Sequence, residues 1–266
     1  MALHRLILIR HGESVGNEAA SAAELAGDEV IDLPFRDADT PLSGTGENQA
    51  RATGSALRAL NVDATAAAWA STYRRAAHTG GLALASAGIE RVPRLDERLR
   101  DRELGVLDHL TSHGLLARYP SEAERRAHLG KFYYRPPGGE SWADVALRLR
   151  SFLADALAAD ATTGVVFAHE ALVYIFRYVL EGWDEPRLLD AALDSPAPNA
   201  SVTVLESGPL PGSPWEATLV GDVTHLEEQG VPTTLHAGRP DAEPRLDDVD
   251  PGRPDEAEEE PRASAE

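Results

Sequence analysis

The sequence has 266 residues, of which 42% are hydrophobic, and its formal net charge at pH 7 is -19. A chain of this size can bury a substantial core without help from disulfides or metals. It contains no cysteine, which excludes a disulfide framework, thiol catalysis and thiolate metal sites. The negative charge argues against nucleic acids and anionic membrane surfaces as partners, because such partners are bound by clusters of lysine and arginine.

The sequence lacks an apolar run long enough to span a membrane. Such a span needs about 18 to 20 consecutive apolar residues, and the apolar run over residues 6–9 is followed at once by Arg10 and His11. This run is also too short for the apolar region of a signal peptide. We therefore expect a cytoplasmic protein that does not associate with membranes.

The N-terminal half alternates short apolar runs with segments of helical period. Residues 3–9 are predicted to form the first strand and residues 66–71 the second, with a helix over residues 44–60 between them. A helix over residues 74–87 and a weaker strand over residues 91–95 follow. Strands linked by crossover helices predict an α/β fold with a mostly parallel central sheet and helices on both faces, which makes three layers.

The middle of the sequence contains its clearest helix signal. Residues 105–137 are irregular by comparison. Ser141 then precedes a long amphipathic segment that reaches Leu157, and Asp144 stands three residues after Ser141, as in a capping box. A helix is therefore predicted to begin just after Ser141.

The last third of the sequence predicts another strand and helix and then a hairpin. Residues 164–168 are a compact apolar run, and residues 171–180 continue as a buried helix. Residues 199–206 and 215–220 are predicted to be strands that pair at or near a sheet edge. From residue 237 the chain is acidic and poor in apolar residues, so we expect a disordered tail.

Two histidines follow predicted strands, His11 after the first strand and His169 after residues 164–168. Ligands of open parallel sheets collect at the carboxyl ends of the strands, so both histidines are candidates for one site. A histidine nucleophile needs one free ring nitrogen, and its other nitrogen should donate to a backbone carbonyl. Gly12 permits the close turn of the backbone that this requires.

Two arginines lie at the ends of strand-like runs, Arg10 and Arg75. Guanidinium groups there can bind phosphate oxygens in pairs and offset the charge that spreads over those oxygens in the transition state. Positioning and electrostatic stabilisation are the main demands of phosphoryl transfer. The arginines and histidines together therefore predict phosphoryl-transfer chemistry.

Several short motifs, each weak alone, occur in a fixed order over residues 3–228. They are Arg10-His11-Gly12-Glu13-Ser14 with Asn17, Thr40-Pro41-Leu42-Ser43 with Gly46, Ser71 with Arg75, Ala76 and Thr79, Gly138-Gly139-Glu140-Ser141, His169, and Gly221-Asp222 with His225 and Leu226. In this order they resemble the histidine phosphatase and cofactor-dependent phosphoglycerate mutase superfamily. The resemblance implies a phosphoglycerate mutase-like fold over residues 1–236, with the tail of residues 237–266 outside it.

The resemblance also implies a role for each matched residue. In that family the first histidine becomes phosphorylated, and two arginines and a second histidine bind the phosphoryl group. An acidic residue protonates the leaving oxygen. Carried over to this sequence, these residues are His11, Arg10, Arg75, His169 and Asp101. The implied chemistry uses neither a metal nor another cofactor.

The sequence departs from the family pattern at two acidic positions. Asp101 stands where the family usually has glutamate, so Glu97 and Glu103 remain alternatives for the general acid. Glu170 follows His169 directly, where the family commonly has glycine. Its carboxylate could raise the pKa of the imidazole or point to solvent.

The remaining candidates concern substrate and metal binding. Gly12 and Asn17 of the first motif are expected to bind substrate together with the arginines and the second histidine. Arg135, just before a Pro-Pro-Gly-Gly run, could lie in a lid and contact the non-transferred part of the substrate, or it could be an exposed surface residue. His109 and His113 have the spacing of a metal pair, but no matching carboxylate motif accompanies them, so we expect no metal site.

The length of the connection between the acidic motif and the Pro-Gly-rich segment predicts the branch of the superfamily. Mutases of the superfamily carry a longer insertion between the acidic motif and the Pro-Gly-rich segment, whereas here Gly105 and Gly138 are only about 33 positions apart. This indicates a phosphomonoesterase for a small phosphorylated metabolite. A mutase and a catalytically weak module that binds a phosphorylated ligand are the alternatives. Oligomeric state is open, because an edge strand can pair with another subunit or be covered by its own chain.

Overall fold

The computed structural model describes residues 3–208 and 212–236, and a six-stranded sheet forms their centre. The strands are β1 (Arg5–Arg10), β2 (Ala67–Ser71), β3 (Arg94–Asp96), β4 (Thr163–Ala168), β5 (Val202–Ser207) and β6 (Trp215–Asp222). Their order across the sheet is β3-β2-β4-β1-β5-β6. The first four strands in this order are parallel to one another, and β5 runs antiparallel to both of its neighbours. The sheet is mostly parallel with a hairpin at one edge, as the sequence predicts.

Helices cover both faces of the sheet. In the described ranges they are α1 (Val15–Ala26), α2 (Gly44–Ala59), α3 (Arg74–Ser86), α4 (Ser112–Arg118), α5 (Pro120–Tyr133), α6 (Trp142–Leu157), α7 (Glu170–Leu180), α8 (Glu185–Asp194) and α9 (Thr224–Glu227). Because side chains alternate along a strand, Ile7 and Ile9 of β1 pack with α2 and α3, whereas Leu6 and Leu8 pack with α6 and α7. This is the expected three-layer α/β fold. None of these helices is long and apolar enough to cross a membrane.

Most predicted elements are present close to their expected bounds. The capping box predicted at the start of α6 is confirmed, because Ser141 Oγ accepts the backbone N–H of Asp144 and the Asp144 carboxylate accepts that of Ser141. The strand expected over residues 91–95 is shorter, since only β3 pairs with β2. Pro93 precedes β3 and has no N–H to donate to a neighbouring strand.

The prediction that residues 105–137 are irregular is wrong. They contain α4 and α5, which pack on each other, and α5 also contacts α6 and α8. The helical period of α5 is hard to recognise because this helix is mostly polar and is interrupted at Gly130, where φ is +73°. Helices α1 and α8 are further elements that the sequence pattern does not predict. The acidic tail predicted over residues 237–266 lies outside the described residues.

The pairing of β1 with β4 brings the two candidate histidines together. Arg10 and Ala168 are register partners at the carboxyl ends of these parallel strands. The next residues, His11 and His169, therefore leave the sheet side by side. Their ring centroids are 5.2 Å apart.

Two glycines allow the N-terminus of α2 to pack directly against the loop after β1. A Cβ atom on Gly12 would overlap the carbonyl oxygen of Gly46, and a Cβ atom on Gly46 would overlap that of Glu13. Only glycine permits backbones to approach so closely. Ser43 reinforces the contact, since its hydroxyl accepts the N–H of Gly46 and lies 2.6 Å from the Glu13 carboxylate. Helix α2 therefore fixes the loop that carries His11.

Candidate active site

His11 is buried at the end of β1, and its ring is held in one tautomer. Nδ1 lies 2.7 Å from the carbonyl oxygen of Gly12, which can only accept a hydrogen bond, so Nδ1 carries the ring proton. Nε2 therefore keeps its lone pair, and it accepts a hydrogen bond of 3.2 Å from Nε of Arg75. Gly12 is fixed in turn, because its N–H donates to the hydroxyl of Thr79. This is the arrangement that a histidine nucleophile requires.

Arg75, in the first turn of α3, connects the groups of the site. Nη1 donates to the carboxylate of Asp37 at 2.8 Å, and Nη2 donates to that of Asp101 at 3.1 Å. Burial alone would lower the pKa of Arg75, but the charges of Asp37 and Asp101 raise it above its ordinary value. The guanidinium group is therefore a fixed cation next to His11, and a phosphoryl group bound there would share it with two carboxylates.

Asp37 is a residue of the site that the sequence does not predict. It begins the short 3₁₀ turn Asp37–Asp39 between α1 and α2. Burial raises the pKa of its carboxyl group, and the charge of Asp101 raises it further, against the opposing effect of Arg75. The contact with Arg75 joins residues far apart in sequence, so no local pattern signals it. In the sequence, the one hint of a role for Asp37 is its position shortly before the motif that begins at Thr40.

Arg10 is buried, and most of its guanidinium donors are engaged. It donates to the carbonyl oxygens of Ala197 and His236, the latter at 2.5 Å, and its Nη1 lies 3.5 Å from the carboxylate of Glu170. Its Nε is buried without a hydrogen-bond partner in the described part of the chain. Buried donors normally have a partner, so Nε is the donor of Arg10 that is suited to a phosphoryl oxygen.

His169, which directly follows β4, contacts Ser71 and Asp101. Its Nε2 lies 2.9 Å from Ser71 Oγ, and its Nδ1 lies 3.3 Å from Asp101 Oδ2 without hydrogen-bond alignment. Because Ser71 Oγ already accepts the N–H of Tyr73, its own proton can be donated to Nε2. The ring proton of His169 then lies on Nδ1, the nitrogen closest to Asp101.

Both histidines are uncharged at neutral pH. Burial lowers the pKa of His11 well below the ordinary 6.5, and the charge of Arg75 and the nearby ring of His169 lower it further. Burial and the charge of Arg75 likewise lower the pKa of His169 well below 6.5. The suggestion that Glu170 raises the pKa of His169 or points to solvent is therefore wrong, because the Glu170 carboxylate lies against Arg10 instead.

Of the three acidic residues considered as general acid, Asp101 is the one that contacts both His169 and Arg75. Glu103 lies at the edge of the site, where its carboxylate accepts a hydrogen bond of 2.8 Å from the hydroxyl of Tyr73. Glu97 is exposed in the 3₁₀ turn Glu97–Leu99. The geometry thus favours Asp101 among the three.

Two of the predicted substrate contacts have partners within the protein. The side chain of Asn17 accepts the N–H of Ser14, which completes a capping box at the start of α1, and it lies 3.3 Å from the amide nitrogen of Asn199. Arg135 is exposed and forms an ion pair with Asp144 at the start of α6. Contacts therefore join the two histidines, Arg75 and Asp101, and the charge of Arg10 acts on both histidines, whereas Arg135 contacts none of these residues.

The C-terminal segment of residues 231–236 runs beside the first motif. Asn199 donates its backbone N–H to the carbonyl oxygen of Thr234 at 3.0 Å. The imidazole Nε2 of His236 lies 2.8 Å from the carboxylate of Glu13. The carbonyl oxygen of His236 accepts a hydrogen bond from Arg10. The sequence pattern does not predict these contacts, since this segment carries no recognisable motif.

A cavity of about 440 Å³ opens beside Arg75. Its walls come from residues 33–38, which include Asp37, from Tyr73 and from the loop over residues 103–109. Asp37 and Tyr73 of this lining contact Arg75, whereas a second cavity of about 440 Å³ borders α2 and residues 229–232, away from that arginine. The first cavity is therefore the one positioned to accept the part of a substrate that is not transferred.

Comparison with known proteins identifies the family. Residues 6–210 match the model of the histidine phosphatase superfamily (branch 1). The chain is 30% identical over 208 residues to a 2,3-bisphosphoglycerate-dependent phosphoglycerate mutase of Methylobacterium radiotolerans, a match that covers 75% of this chain and 92% of that protein. It is 33% identical over 162 residues to the phosphoglycerate mutase-like protein AT74H of Arabidopsis thaliana, which covers 56% of this chain and only 52% of that relative.

Solved structures with the same fold include a phosphatase. A mycobacterial glucosyl-3-phosphoglycerate phosphatase in complex with VO3 superposes with a TM-score of 0.65 at 25% identity, over 83% of this chain and 100% of that one. Bacillus stearothermophilus YhfR superposes with a TM-score of 0.62 at 25% identity, over 84% and 98% of the two chains. Both the predicted resemblance and the predicted fold are confirmed. The chain belongs to the histidine phosphatase superfamily, branch 1.

Proposed function

We propose that the protein is a phosphomonoesterase that hydrolyses a small phosphorylated metabolite in the cytoplasm through a phosphohistidine at His11. The state of His11 carries this proposal. Its Nδ1 is bound to the carbonyl oxygen of Gly12, and its neutral Nε2 lies 3.2 Å from the guanidinium group of Arg75. A neutral nucleophile next to a fixed cation is what transfer of an anionic phosphoryl group demands.

In the first step, Nε2 of His11 attacks the phosphorus atom in line with the leaving oxygen. The N–P bond forms as the P–O bond breaks, and the electron pair of the broken bond stays on the leaving oxygen. Asp101 must carry a proton when the substrate is bound, and it gives this proton to the leaving oxygen, which completes the alcohol product. The Nε donor of Arg75 turns from His11 to a phosphoryl oxygen, and Arg10 and His169 supply further donors.

In the second step, a water molecule attacks the phosphorus atom of the phosphohistidine. The Asp101 carboxylate accepts a proton from this water, and the electron pair of the N–P bond returns to Nε2 of His11. Inorganic phosphate leaves, and both residues are back in their starting protonation states. The contacts of Asp101 with Arg75 and His169 support this role.

A mutase is the second candidate, because a 2,3-bisphosphoglycerate-dependent phosphoglycerate mutase is among the relatives. In that reaction the phosphoryl group on His11 passes to an organic acceptor instead of water. The short connection of about 33 positions between Gly105 and Gly138 supports hydrolysis. A weakly catalytic binding module is the third candidate, and the ion pair between Asp37 and Arg75 is the observation that favours it.

The test compares the purified protein with its His11→Ala variant on an aryl phosphate and on a panel of phosphorylated metabolites, with a metal chelator present throughout. We expect the variant to lose at least about a thousandfold in kcat. Neighbouring arginines provide a matched pair of further variants. Arg75→Gln removes the buried guanidinium group, whereas Arg74→Gln removes an exposed one and should retain activity.

Each alternative outcome identifies a different function. Isomerised phosphoglycerate without release of inorganic phosphate would establish the mutase. Phosphate binding without turnover of any substrate would establish the binding module. Activity that survives in His11→Ala would mean that another group is the nucleophile.

A further inference from the structure

The cavity beside Arg75 shares its inner wall with the proposed phosphoryl site. Asp37 lines the cavity and also binds the guanidinium group of Arg75. Tyr73 lines it too, and the ring of Tyr73 lies 5.3 Å from that of His169 and 5.0 Å from Cζ of Arg75. A phosphate ester that binds Arg75 would therefore place its leaving group in this cavity.

The charged groups on the walls of the cavity are mainly carboxylates. Asp37, Glu103 and Asp108 all line it. Arg36 is the lining cation, but its Nε is bound to Asp39 at 2.6 Å and its side chain is 82% exposed. His109 lies 3.7 Å from the Asp108 carboxylate. A second phosphate or a carboxylate on the leaving group would thus meet several like charges, and each such pair is repulsive.

Arg100 and Arg102 come from the neighbouring turn, and neither lines the cavity, although the charge of Asp101 acts on Arg102. Nε of Arg100 lies 3.9 Å from the carboxylate of Glu103, but its Nη2 is bound to Glu140 at 2.6 Å. Arg100 is therefore held by a carboxylate outside the cavity and does not line the cavity itself. The remaining walls are apolar, with Leu33, Pro34 and Phe35 on one side. They offer contact to a carbon skeleton without adding positive charge.

We propose that this cavity selects phosphate monoesters whose leaving group is uncharged or cationic over those that carry a second anionic group. Hydroxyl and ammonium groups donate hydrogen bonds to the carboxylates of Glu103 and Asp108, whereas a carboxylate or second phosphate has no donor for them. The inference rests on the proposed phosphatase function and narrows its substrate class. It predicts that phosphoglycerates and sugar bisphosphates are poor substrates.

The test measures kcat/KM of the full-length protein for three esters of similar size at one ionic strength. Ethanolamine phosphate has a cationic leaving group with N–H donors, glycerol 3-phosphate an uncharged one, and 3-phosphoglycerate an anionic one. Each ester is also measured as a competitive inhibitor of p-nitrophenyl phosphate hydrolysis, so that an ester that is not turned over still gives a value. We expect the first two esters to exceed 3-phosphoglycerate by roughly tenfold or more. This preference should shrink at high salt.

A double variant tests whether the lining carboxylates cause the preference. Glu103→Gln with Asp108→Asn removes two negative charges from the cavity, and the ratio of kcat/KM between ethanolamine phosphate and 3-phosphoglycerate should fall several-fold. The matched control is Glu90→Gln with Asp190→Asn, which removes two exposed charges outside the cavity and should leave that ratio unchanged.

The outcomes separate the two proposals. Equal or better turnover of 3-phosphoglycerate, alongside normal turnover of p-nitrophenyl phosphate, would overturn the substrate class and leave the phosphatase function standing. An unchanged ratio in the double variant would also overturn the inference. Absence of p-nitrophenyl phosphate turnover would overturn the phosphatase function and this inference with it.

Discussion

Asp101 stands where the family resemblance expects a glutamate, yet its carboxylate reaches both Arg75, at 3.1 Å, and His169, at 3.3 Å. The shorter side chain therefore still touches two of the groups proposed to bind the phosphoryl group. Such a carboxylate can act by donating a proton or by orienting the arginine. The two roles respond differently to the leaving group, because protonation matters most when the leaving group is a poor one.

Replacing Asp101 by asparagine removes the transferable proton and keeps the size of the side chain. We expect Asp101→Asn to lose roughly a hundredfold to ten-thousandfold in kcat/KM on an alkyl phosphate. The loss on p-nitrophenyl phosphate should be much smaller, since its phenolate leaves without being protonated. The measurement is the ratio of kcat/KM for the two substrates, and the exposed Glu97→Gln variant is the control that should keep the wild-type ratio.

An equal loss on both substrates would contradict the general acid role of Asp101 and would assign it the task of orienting Arg75. Asp37 would then become the next candidate. It is the other carboxylate on Arg75, and burial raises its pKa, which favours the protonated form. The same comparison of two leaving groups on Asp37→Asn would decide between the two residues.

At the scale of single residues, the site residues that belong to sequence motifs can be predicted, whereas those that reach the site only through the folded chain cannot. His11 and His169 are predicted because each follows a strand that can be recognised locally. Asp37 and His236 are missed because their contacts with the site join distant parts of the chain. Arg135 is the converse case, since a Pro-Gly-rich neighbourhood suggests a lid, whereas its partner is the helix-capping Asp144.

At the scale of elements, the approach of α2 to the loop after β1 decides where His11 lies. A Cβ atom on Gly46 would overlap the carbonyl oxygen of Glu13, whereas one on Gly44 meets nothing within 4 Å. We expect Gly46→Ala to lower the free energy of unfolding by roughly 1–3 kcal/mol and to reduce kcat/KM, because the loop must move. Urea unfolding and steady-state kinetics measure the two effects.

Gly44→Ala is the matched control, since it lies in the first turn of the same helix. We expect it to be neutral or to stabilise the protein by up to about 1 kcal/mol, because alanine has the higher helix propensity. If Gly46→Ala behaved like Gly44→Ala in both stability and activity, the packing of α2 would not control the position of the loop that carries His11.

Elements with a strong amphipathic period and a cap are the ones that the sequence predicts well. Helix α6 has both, with many buried side chains and the capping box at Ser141. Helix α5 buries only Phe132 among its described residues and contains the non-helical Gly130, so its period is weak. Packing in the folded chain stabilises such a helix, and packing cannot be read from local sequence.

At the scale of the whole molecule, three buried histidines couple stability to pH. Burial lowers the pKa of His11, His169 and His225 below the ordinary 6.5. In the unfolded chain each takes up a proton as the pH falls below about 6.5, whereas the folded chain resists this uptake until lower pH. The unfolded state therefore binds more protons in this range, and stability must fall with pH.

We expect the free energy of unfolding, measured in urea, to be about 1 to 4 kcal/mol lower at pH 5.5 than at pH 7.5. His225 lies outside the proposed catalytic contacts, so His225→Gln removes one of the three groups without changing the nucleophile. The decrease in the free energy of unfolding between pH 7.5 and pH 5.5 should then be smaller than in the wild type by up to about 1 kcal/mol. A free energy of unfolding that stays constant between these pH values would contradict the coupling.

The C-terminal segment has a practical consequence for work with shortened forms of this protein. The match to the family model ends at residue 210, but the carbonyl oxygen of His236 binds Arg10 and its ring binds Glu13. Recombinant boundaries drawn from sequence similarity alone would remove β6 and both of these contacts. A low activity in such a fragment would then report the missing segment and not the catalytic power of the enzyme, so expressed forms should extend at least through His236.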